Sequence, residues 1–226
     1  TSSTINEIGP VNVPLANPLE IPSKNRSILG SGRIHFLEFD DINNRVLCGS
    51  PAGGLYYSED DGNTWINGGM DYLPVIAVSH AQVAKNVNQG KTWFVATGDG
   101  DGYFHESNGI WRTTDKGQTW SDITPGNVFG FGNFPNLFGW ARIRKILLDP
   151  SNNNILYVAT PTGVYKTTNA LSSPGTVNWT QVLAPNPGTL GYFDIQFKPG
   201  TNNQTIVVSG QRLHVTYDAG VTWSLL

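Results

Sequence analysis

An eight-residue pattern, Ser/Thr-x-Asp-x-Gly-x-Thr-Trp, recurs along this chain of 226 residues. Its three full copies are SEDDGNTW from Ser58 to Trp65, TTDKGQTW from Thr113 to Trp120, and TYDAGVTW from Thr216 to Trp223. The Asp residues of the first two copies are 55 positions apart, and those of the second and third are 103 apart, which is close to two periods. A repeat period of about fifty residues is the signature of a propeller or a solenoid, in which each repeat is one supersecondary unit.

This spacing predicts a degenerate fourth copy near residue 167. The segment KTTNALSSPGTVNWT supplies it, with Asn169 at the Asp position and Trp179 as the closing Trp after a short insertion. The chain therefore holds four repeats.

Strand-like segments precede each copy of the pattern. In the first repeat they are RIHFLEFD from Arg33, RVLCGS from Arg45 and GLYYS from Gly54. Segments such as ILYVAT in the third repeat are apolar at successive positions, which indicates burial on both faces, as in stacked sheets. Because each closing Trp opens a further segment, the repeat predicts four antiparallel strands, which form a propeller blade.

The predicted fold is therefore all-β: a β-propeller with four-stranded antiparallel blades, of which four are present. Residues 1–30 are assigned to an N-terminal extended segment that could close a ring. The blades are assigned to residues 31–74, 75–126, 127–184 and 185–226. The third of these ranges begins with a linking aromatic loop, and the fourth is expected to be incomplete.

We expect these four blades to be part of a larger propeller. The last segment, TWSLL from Thr222, reaches only the beginning of a fourth strand. Four blades that do not close on themselves would leave two blade faces exposed, which favours association.

The repeated pattern falls between the third and fourth strands of each blade, and its residue types suit a turn. The Asp can accept hydrogen bonds from backbone N–H groups, the Gly supplies a positive φ, and the Trp buries a large ring between blades. We interpret these Asp residues as scaffold and not as catalytic acids, since periodic motifs mark scaffold. The structural positions are Ser58, Asp60, Gly62, Trp65, Thr113, Asp115, Gly117, Trp120, Thr216, Asp218, Gly220 and Trp223.

These turns resemble the Asp-box, the BNR repeat shared by sialidases, the sortilin (Vps10) luminal domain and the xyloglucanase-type glycoside hydrolases. The wider run GRIHFLEFDDINNRVLCGSPAGGLYYSEDDGNTW, followed by ATGDGDG and GIWRTTDKGQTW, resembles the sortilin-like propellers of large secreted bacterial surface proteins. Those proteins are often directed outward by a C-terminal sorting domain. The resemblance covers about residues 30 to 226 and implies a secreted or bacterial cell-surface location, while the activity stays open.

Composition narrows the range of partners. Fourteen Lys and Arg stand against seventeen Asp and Glu, and the basic residues are scattered, so nucleic acid is not an expected partner. The sequence contains no run of eighteen apolar residues that could span a membrane. The single cysteine, Cys48, excludes an internal disulfide and is expected to be a buried core residue. The expected partners are a glycan or a surface protein, together with other domains or blades of a parent protein.

Two long connections lie on the face opposite the repeated turns, and we expect them to form the functional surface. The segment Gly98–Gly109 joins the second and third strands of blade 2, and Thr124–Trp140 links blade 2 to blade 3. Aromatic side chains there could bind sugar rings or a partner protein, or they could fold inward over the blade edges. The predicted ligand-binding residues are Tyr103, His105, Phe129, Phe131, Phe134, Phe138 and Trp140.

The first of these connections also offers oxygen ligands for a metal ion. Asp99, Asp101 and Glu106 lie among glycines and could bind calcium, although the spacing is not that of an EF-hand. The alternative is a solvated turn rich in Gly and Asp. No other cofactor is expected.

Catalytic interpretations follow only from the resemblance. Xyloglucanase-type hydrolases place a catalytic Asp in an Asp-Val-Gly-Gly-like turn after the second strand of the first blade, where this chain has SPAGG with Pro51 and Ala52. Sialidases carry an Arg-Ile-Pro signature, where this chain has GRIHF with His35. Arg142 and Arg144 alternate along a strand, so one is expected to face the central channel, and Ser79 beside His80 forms no recognisable catalytic motif.

We therefore expect a non-catalytic extracellular β-propeller that acts in adhesion or in glycan or protein binding at a bacterial surface. One alternative is a fragment of a secreted glycoside hydrolase, xyloglucanase-like or sialidase-like, which would need two carboxylates flanking the scissile bond. Another is a structural spacer in a large surface protein.

Overall fold

The computed structural model describes residues 33–100, 107–124 and 142–226. In these residues the regular structure is all β apart from one short 3-10 turn, Asn88–Gly90. The strands form four separate antiparallel sheets of four strands, each following chain order, so the predicted propeller fold with four blades is confirmed. Nowhere in the described ranges is there a helix with the length and apolar character needed to cross a membrane.

Each blade uses four consecutive strands. Blade 1 contains β1 (Phe36–Asp40), β2 (Arg45–Ser50), β3 (Gly54–Ser58) and β4 (Ile66–Asn67). Blade 2 contains β5 (Val78–Val83), β6 (Trp93–Thr97), β7 (Ile110–Thr113) and β8 (Ser121–Asp122). Blade 3 contains β9 (Lys145–Leu148), β10 (Leu156–Thr160), β11 (Gly163–Thr167) and β12 (Thr180–Leu183). Blade 4 contains β13 (Tyr192–Phe197), β14 (Ile206–Gly210), β15 (Leu213–Thr216) and β16 (Ser224–Leu225).

Burial changes from the second strand of a blade to the fourth. The second strands of blades 2 and 3, β6 and β10, are buried at every position, in agreement with their continuous apolar sequence. The fourth strands are short and mostly exposed. They therefore form the outer edge of each blade.

The hydrophobic core is divided into three layers, and each layer lies between two neighbouring blades. Leu47, Leu55 and Tyr57 of blade 1 pack with Trp93 and Val95 of blade 2. A second layer joins blades 2 and 3, and a third joins blades 3 and 4. Each blade therefore buries much of its apolar surface against its neighbour.

The first strands of successive blades, β1, β5, β9 and β13, pack against one another and lie innermost. The strand registers place Phe36, His80, Lys145 and Asp194 at equivalent positions, opposite Gly49, Ala96, Ala159 and Ser209 respectively. Two residues further on, Glu38, Gln82, Leu147 and Gln196 form a second equivalent row. These two rows bring side chains from all four blades together.

Candidate functional site

The three repeated turns have nearly identical hydrogen bonds. In the second, Asp115 accepts hydrogen bonds from the Thr119 backbone N–H at 2.8 Å, the Thr119 hydroxyl at 2.6 Å and the Thr113 hydroxyl at 2.7 Å. Asp60 and Asp218 accept the equivalent bonds. The predicted bonds from the backbone to these Asp side chains are therefore present in all three turns.

The same hydrogen bonds set the pKa of these carboxyls. The Thr216 and Thr222 hydroxyls lower the pKa of Asp218 to about 2, and bonds from Thr64 lower that of Asp60. For Asp115, burial raises the pKa, but bonds from Thr119 and Thr113 outweigh it and the net shift is downward. A carboxylate held ionised by its own turn is a poor proton donor near neutral pH.

The degenerate fourth turn keeps part of this arrangement. The Asn169 side-chain oxygen accepts hydrogen bonds from the Thr167 hydroxyl and the Asn178 backbone N–H, both at 2.9 Å. An amide thus replaces the carboxylate as acceptor without loss of the turn.

The closing Trp residues connect the blades. Trp120 Nε1 donates to the Gly68 carbonyl at 3.1 Å, and Trp179 Nε1 donates to the Ile123 carbonyl at 2.9 Å. Each acceptor follows the fourth strand of the preceding blade. The repeated turns are thus engaged in structural contacts.

The predicted ligand-binding loops fall largely outside the described residues. This applies to Tyr103, His105, Phe129, Phe131, Phe134, Phe138 and Trp140, and to the candidate calcium ligands Asp101 and Glu106. Asp99 is described; it is buried and accepts a hydrogen bond from Arg33 Nη2 in an ion pair. Among the described residues, His, Cys, Asp and Glu form no cluster suited to a metal ion, and calcium at this loop stays a prediction.

A group of polar and aromatic side chains meets where the first strands of the four blades begin, on the face of the predicted loops. We call it the inner-end cluster: Arg33, His35, His80, Asp99, Arg144, Lys145, Phe193 and Asp194. Gly100, in the β6–β7 connection, lies at its centre. A Cβ at this glycine would lie 3.2 Å from His35 Nε2, a tight contact, and 3.5 Å from the Arg144 carbonyl oxygen, an ordinary one, so the glycine backbone packs closely against both residues.

Charged groups in the inner-end cluster are paired with neighbours. Arg144 donates to the Gly100 carbonyl at 2.6 Å, and its guanidinium carbon lies 4.2 Å from the centre of the Phe193 ring. Lys145 Nζ lies 2.6 Å from Asp194 Oδ1. The sequence predicted that either Arg142 or Arg144 faces the central channel. Arg142 is buried, whereas the guanidinium of Arg144 stacks on the Phe193 ring within the inner-end cluster.

His80 is held neutral at the centre of this group. Burial lowers the pKa of His80 to about 3, with a further lowering from Lys145 and a smaller raising from Asp194. Its ring centre lies 5.3 Å from that of Phe36. The adjacent Ser79 is buried and its hydroxyl donates to the Ala96 carbonyl at 3.2 Å, so this pair offers neither an activated nucleophile nor a base near neutral pH.

One carboxyl of the inner strands has a strongly raised pKa. Burial raises the pKa of Glu38 to about 7. A hydrogen bond from the Val83 backbone N–H at 3.4 Å lowers the pKa, but by less than burial raises it. The equivalent residue in blade 2, Gln82, accepts the equivalent bond from the Leu148 backbone N–H of blade 3. An amide at the same position makes the same bond, so we interpret Glu38 as a contact between blades and not as an acid catalyst.

Asp40, two residues beyond Glu38, is not available as a second catalytic carboxylate. Asp40 is buried and lies 3.3 Å from Arg45, and Asn43 also donates to it. The β2–β3 turn is closed by Ser50, whose hydroxyl oxygen accepts hydrogen bonds from the backbone N–H groups of Ala52 and Gly53. In the described ranges, therefore, no open pair of carboxylates of the kind that glycoside hydrolysis requires is apparent.

The sequence did not reveal the inner-end cluster. The only signal was register: counting back from each repeated turn aligns Phe36, His80, Lys145 and Asp194, but no motif marks them. What the cluster offers is a polar surface with a stacked Arg and Phe, suited to binding. A further aromatic, Tyr72, lies on the β4–β5 connection on the same face and is 97% exposed.

The chain is similar to known proteins in both sequence and structure. No family model matches this chain. The xyloglucanase Xgh74A of Acetivibrio thermocellus is 27% identical over 207 residues, which cover 79% of this chain and 23% of that protein. This chain thus spans less than a quarter of the length of that relative.

Two solved structures share the fold. A GH74 xyloglucanase from Xanthomonas campestris superimposes with a TM-score of 0.60 at 19% identity, over 87% of this chain and 30% of the other. The extracellular domain of the BT4673 one component system from B. thetaiotaomicron gives a TM-score of 0.58 at 12% identity, over 92% of this chain and 23% of the other. These likenesses show the propeller fold, and the narrower resemblance to sortilin-like surface proteins stays a prediction.

Proposed function

We propose that this chain is part of a secreted carbohydrate-active protein and that its four blades bind glycan without supplying the catalytic carboxylates. The sequence similarity to a xyloglucanase over 79% of the chain supports this proposal. Since the chain matches only 23% of that protein, the catalytic groups of such an enzyme need not lie in it. The proposed ligand class is a β-glucan with xylose side chains.

The described residues support binding in preference to catalysis. His80 is neutral and a weak base, Glu38 contacts the neighbouring blade, and Asp99 is paired with Arg33. The inner-end cluster and Tyr72 instead provide aromatic faces and hydrogen-bonding groups, which are the features that sugar rings contact. The loop aromatics Phe129 to Trp140 are proposed as further ligand contacts.

A second candidate is an adhesion module at a bacterial surface whose ligand is a protein or another glycan. The BT4673 domain is extracellular, which supports this use of the fold outside the cell, but at 12% identity the likeness carries no information on the ligand. The two candidates differ in the ligand that the chain should bind.

The test is to titrate the chain with xyloglucan oligosaccharides and with unsubstituted cello-oligosaccharides by calorimetry, while measuring release of reducing ends. We expect binding of the substituted oligosaccharides and no hydrolysis. Binding should weaken on Tyr72→Ala, whereas Tyr217→Ala, an exposed Tyr in the repeated turn on the opposite face, should leave it unchanged. Hydrolysis by this chain would overturn the non-catalytic part, and absence of glucan binding would favour the adhesion candidate.

A further inference from the structure

The inner-end cluster contains more basic than acidic groups among the described residues. Apart from its two histidines, its cations are Arg33, Arg144 and Lys145, and its carboxylates are Asp99 and Asp194. Each carboxylate is matched with one cation, Asp99 with Arg33 and Asp194 with Lys145. The described part of the cluster therefore carries one positive charge in excess.

His80 reports the sign of the electrostatic potential in this cluster, because its pKa depends on the charges around it. Burial is the largest cause of its low pKa of about 3, and Lys145 contributes the next largest lowering. Asp194 raises the pKa of His80 by less than Lys145 lowers it, and His35 lowers it further. The neighbouring charges together disfavour another positive charge, so the potential at this place favours an anion.

Four residues, one from each blade, directly precede the aligned positions of the first strands. They are His35, Ser79, Arg144 and Phe193. Gly100 lies among them, since a Cβ there would be 3.2 Å from His35 Nε2, 3.4 Å from the Ser79 Cβ and 3.5 Å from the Arg144 carbonyl oxygen. The row thus brings the four blades together around the β6–β7 connection.

Two residues of this row lie at irregular points of their strands. The pairing register of β5 shifts at Ser79, and that of β13 shifts at Phe193, as it does at a β-bulge. Bulges redirect side chains and occur preferentially beside functional sites. In β13 the residue at the shift, Phe193, is the one that packs on Arg144 of the preceding blade.

The Arg144 guanidinium is held in place by two contacts. Its Nη1 donates to the Gly100 carbonyl at 2.6 Å, and its central carbon lies 4.2 Å from the centre of the Phe193 ring. Both side chains are half-buried, so the pair is partly open to solvent. A guanidinium is planar and carries its N–H donors in a fork that matches the two oxygens of a carboxylate. Fixing its plane in advance lowers the entropy cost of binding such a group.

We propose that the inner-end cluster binds the carboxylate of an acidic sugar and that Arg144 is the residue that contacts it. Phe193 acts as a positioning residue, because it holds the plane of the guanidinium. The inference rests on the proposed function for the ligand class, a glycan, and adds a uronic acid to it. A sugar is favoured over other carboxylates because Tyr72, which is 97% exposed on the same face, offers a ring on which a pyranose can stack.

The probe for this site is a cello-oligosaccharide that ends in one glucuronic acid residue. Its methyl ester has nearly the same shape and no charge, so it serves as the matched control ligand. Calorimetry on the unmodified chain should show the acid bound about tenfold more tightly than the ester, because hydrogen bonds to a charged group are stronger than neutral ones. Added salt should reduce this difference, since ions screen the attraction.

Four variants, checked for folding by circular dichroism, separate the roles of the side chains. Arg144→Gln should bind the acid and the ester equally, because the charge and the fork are both lost. Arg144→Lys keeps the charge and should retain part of the preference for the acid. Phe193→Leu removes the ring that holds the guanidinium, so it should reduce this preference while leaving the affinity for the ester unchanged. Tyr72→Ala should weaken both ligands by the same factor.

Three results would overturn the proposal: equal affinity of the unmodified chain for the acid and the ester, a full preference for the acid in folded Arg144→Gln, or equally tight binding of a peptide that ends in glutamate. If Arg144→Gln did not fold, the comparison of acid and ester on the unmodified chain would still decide. The probe carries no xylose, so its result is distinguishable from failure of the chain to bind xyloglucan oligosaccharides.

Discussion

Glu38 and Gln82 occupy one register position in successive blades, and each accepts a backbone hydrogen bond from the next blade. The two side chains have the same length and both offer an acceptor oxygen, but only the carboxyl can ionise. Burial raises the pKa of Glu38 from 4.5 to about 7, so the folded chain holds a proton between these values that the unfolded chain releases. The free energy of unfolding therefore falls as the pH rises through this window.

Glu38→Gln should remove this pH dependence, because the amide keeps the acceptor and has no proton to lose. Urea unfolding should show the variant and the unmodified chain equally stable near pH 4, and the variant more stable at pH 8 by up to about 3 kcal/mol. Gln82→Glu should install a similar dependence in blade 2. If the free energy of unfolding changed with pH in the same way for Glu38→Gln and the unmodified chain, this account of Glu38 would be wrong.

Asp115→Ala should lower the free energy of unfolding by about 1 to 3 kcal/mol, because the Thr119 backbone N–H, the Thr119 hydroxyl and the Thr113 hydroxyl lose their acceptor. Asp115→Asn should cost less, since Asn169 forms such a turn in blade 3. Thermal and urea unfolding would measure both, with oligosaccharide titration alongside. Loss of binding in Asp115→Ala at an unchanged melting temperature would show that this Asp is functional and not scaffold.

At the scale of the blade, the repeated turn is part of the contact with the preceding blade. Gly117 has a φ of 83°, and a Cβ there would lie 2.2 Å from the Gly68 carbonyl oxygen. Gly62 has the same role in the first turn, with a φ of 86°, but a Cβ there would come no closer than 3.7 Å to Trp65 of its own turn. The two glycines share the backbone conformation and differ in whether the backbone of another described blade lies against them.

Gly117→Ala should therefore destabilise the chain more than Gly62→Ala. Both place alanine in the left-handed region, at a cost of about 1 to 2 kcal/mol. In Gly117→Ala the new Cβ also clashes with the Gly68 backbone. Overpacking of this kind typically lowers the free energy of unfolding by a further amount of about 1 to 3 kcal/mol. Urea unfolding of the two variants measures the difference, and equal losses would mean that the contact between the blades tolerates the extra carbon.

At the scale of the whole molecule, three core layers of strand and turn residues join the four blades within the described ranges. We expect this scaffold to be separable from the predicted binding loop that contains Phe129 to Trp140.

Deletion of residues 127–138 should leave cooperative unfolding and the strand content intact while weakening oligosaccharide binding. Circular dichroism and thermal unfolding test the first part, and calorimetry tests the second. A deletion variant that fails to fold would place the loop aromatics in the core, which would remove them from the proposed binding surface.

The fold could be predicted because its information is local and repeated. The hydrogen bonds of each turn join residues close in sequence, as those from Thr64 to Asp60 do. Three copies of such a turn at regular spacing are compatible with few folds other than a series of propeller blades. The strand RVLCGS, read from the sequence at Arg45, is β2 with the same bounds. Turn chemistry and apolar patterning therefore determined the number of blades and the place of each turn.

The sequence alone could not determine the chemistry of the inner strands. Whether a carboxyl keeps its proton depends on burial and on partners from another blade, as Glu38 and Val83 show. The inner-end cluster likewise gathers residues from four blades, and Lys145 meets Asp194 only after the blades have packed. Sequence determined the repeat because its contacts span few residues; the tertiary structure decided the cluster because it depends on which blade lies beside which.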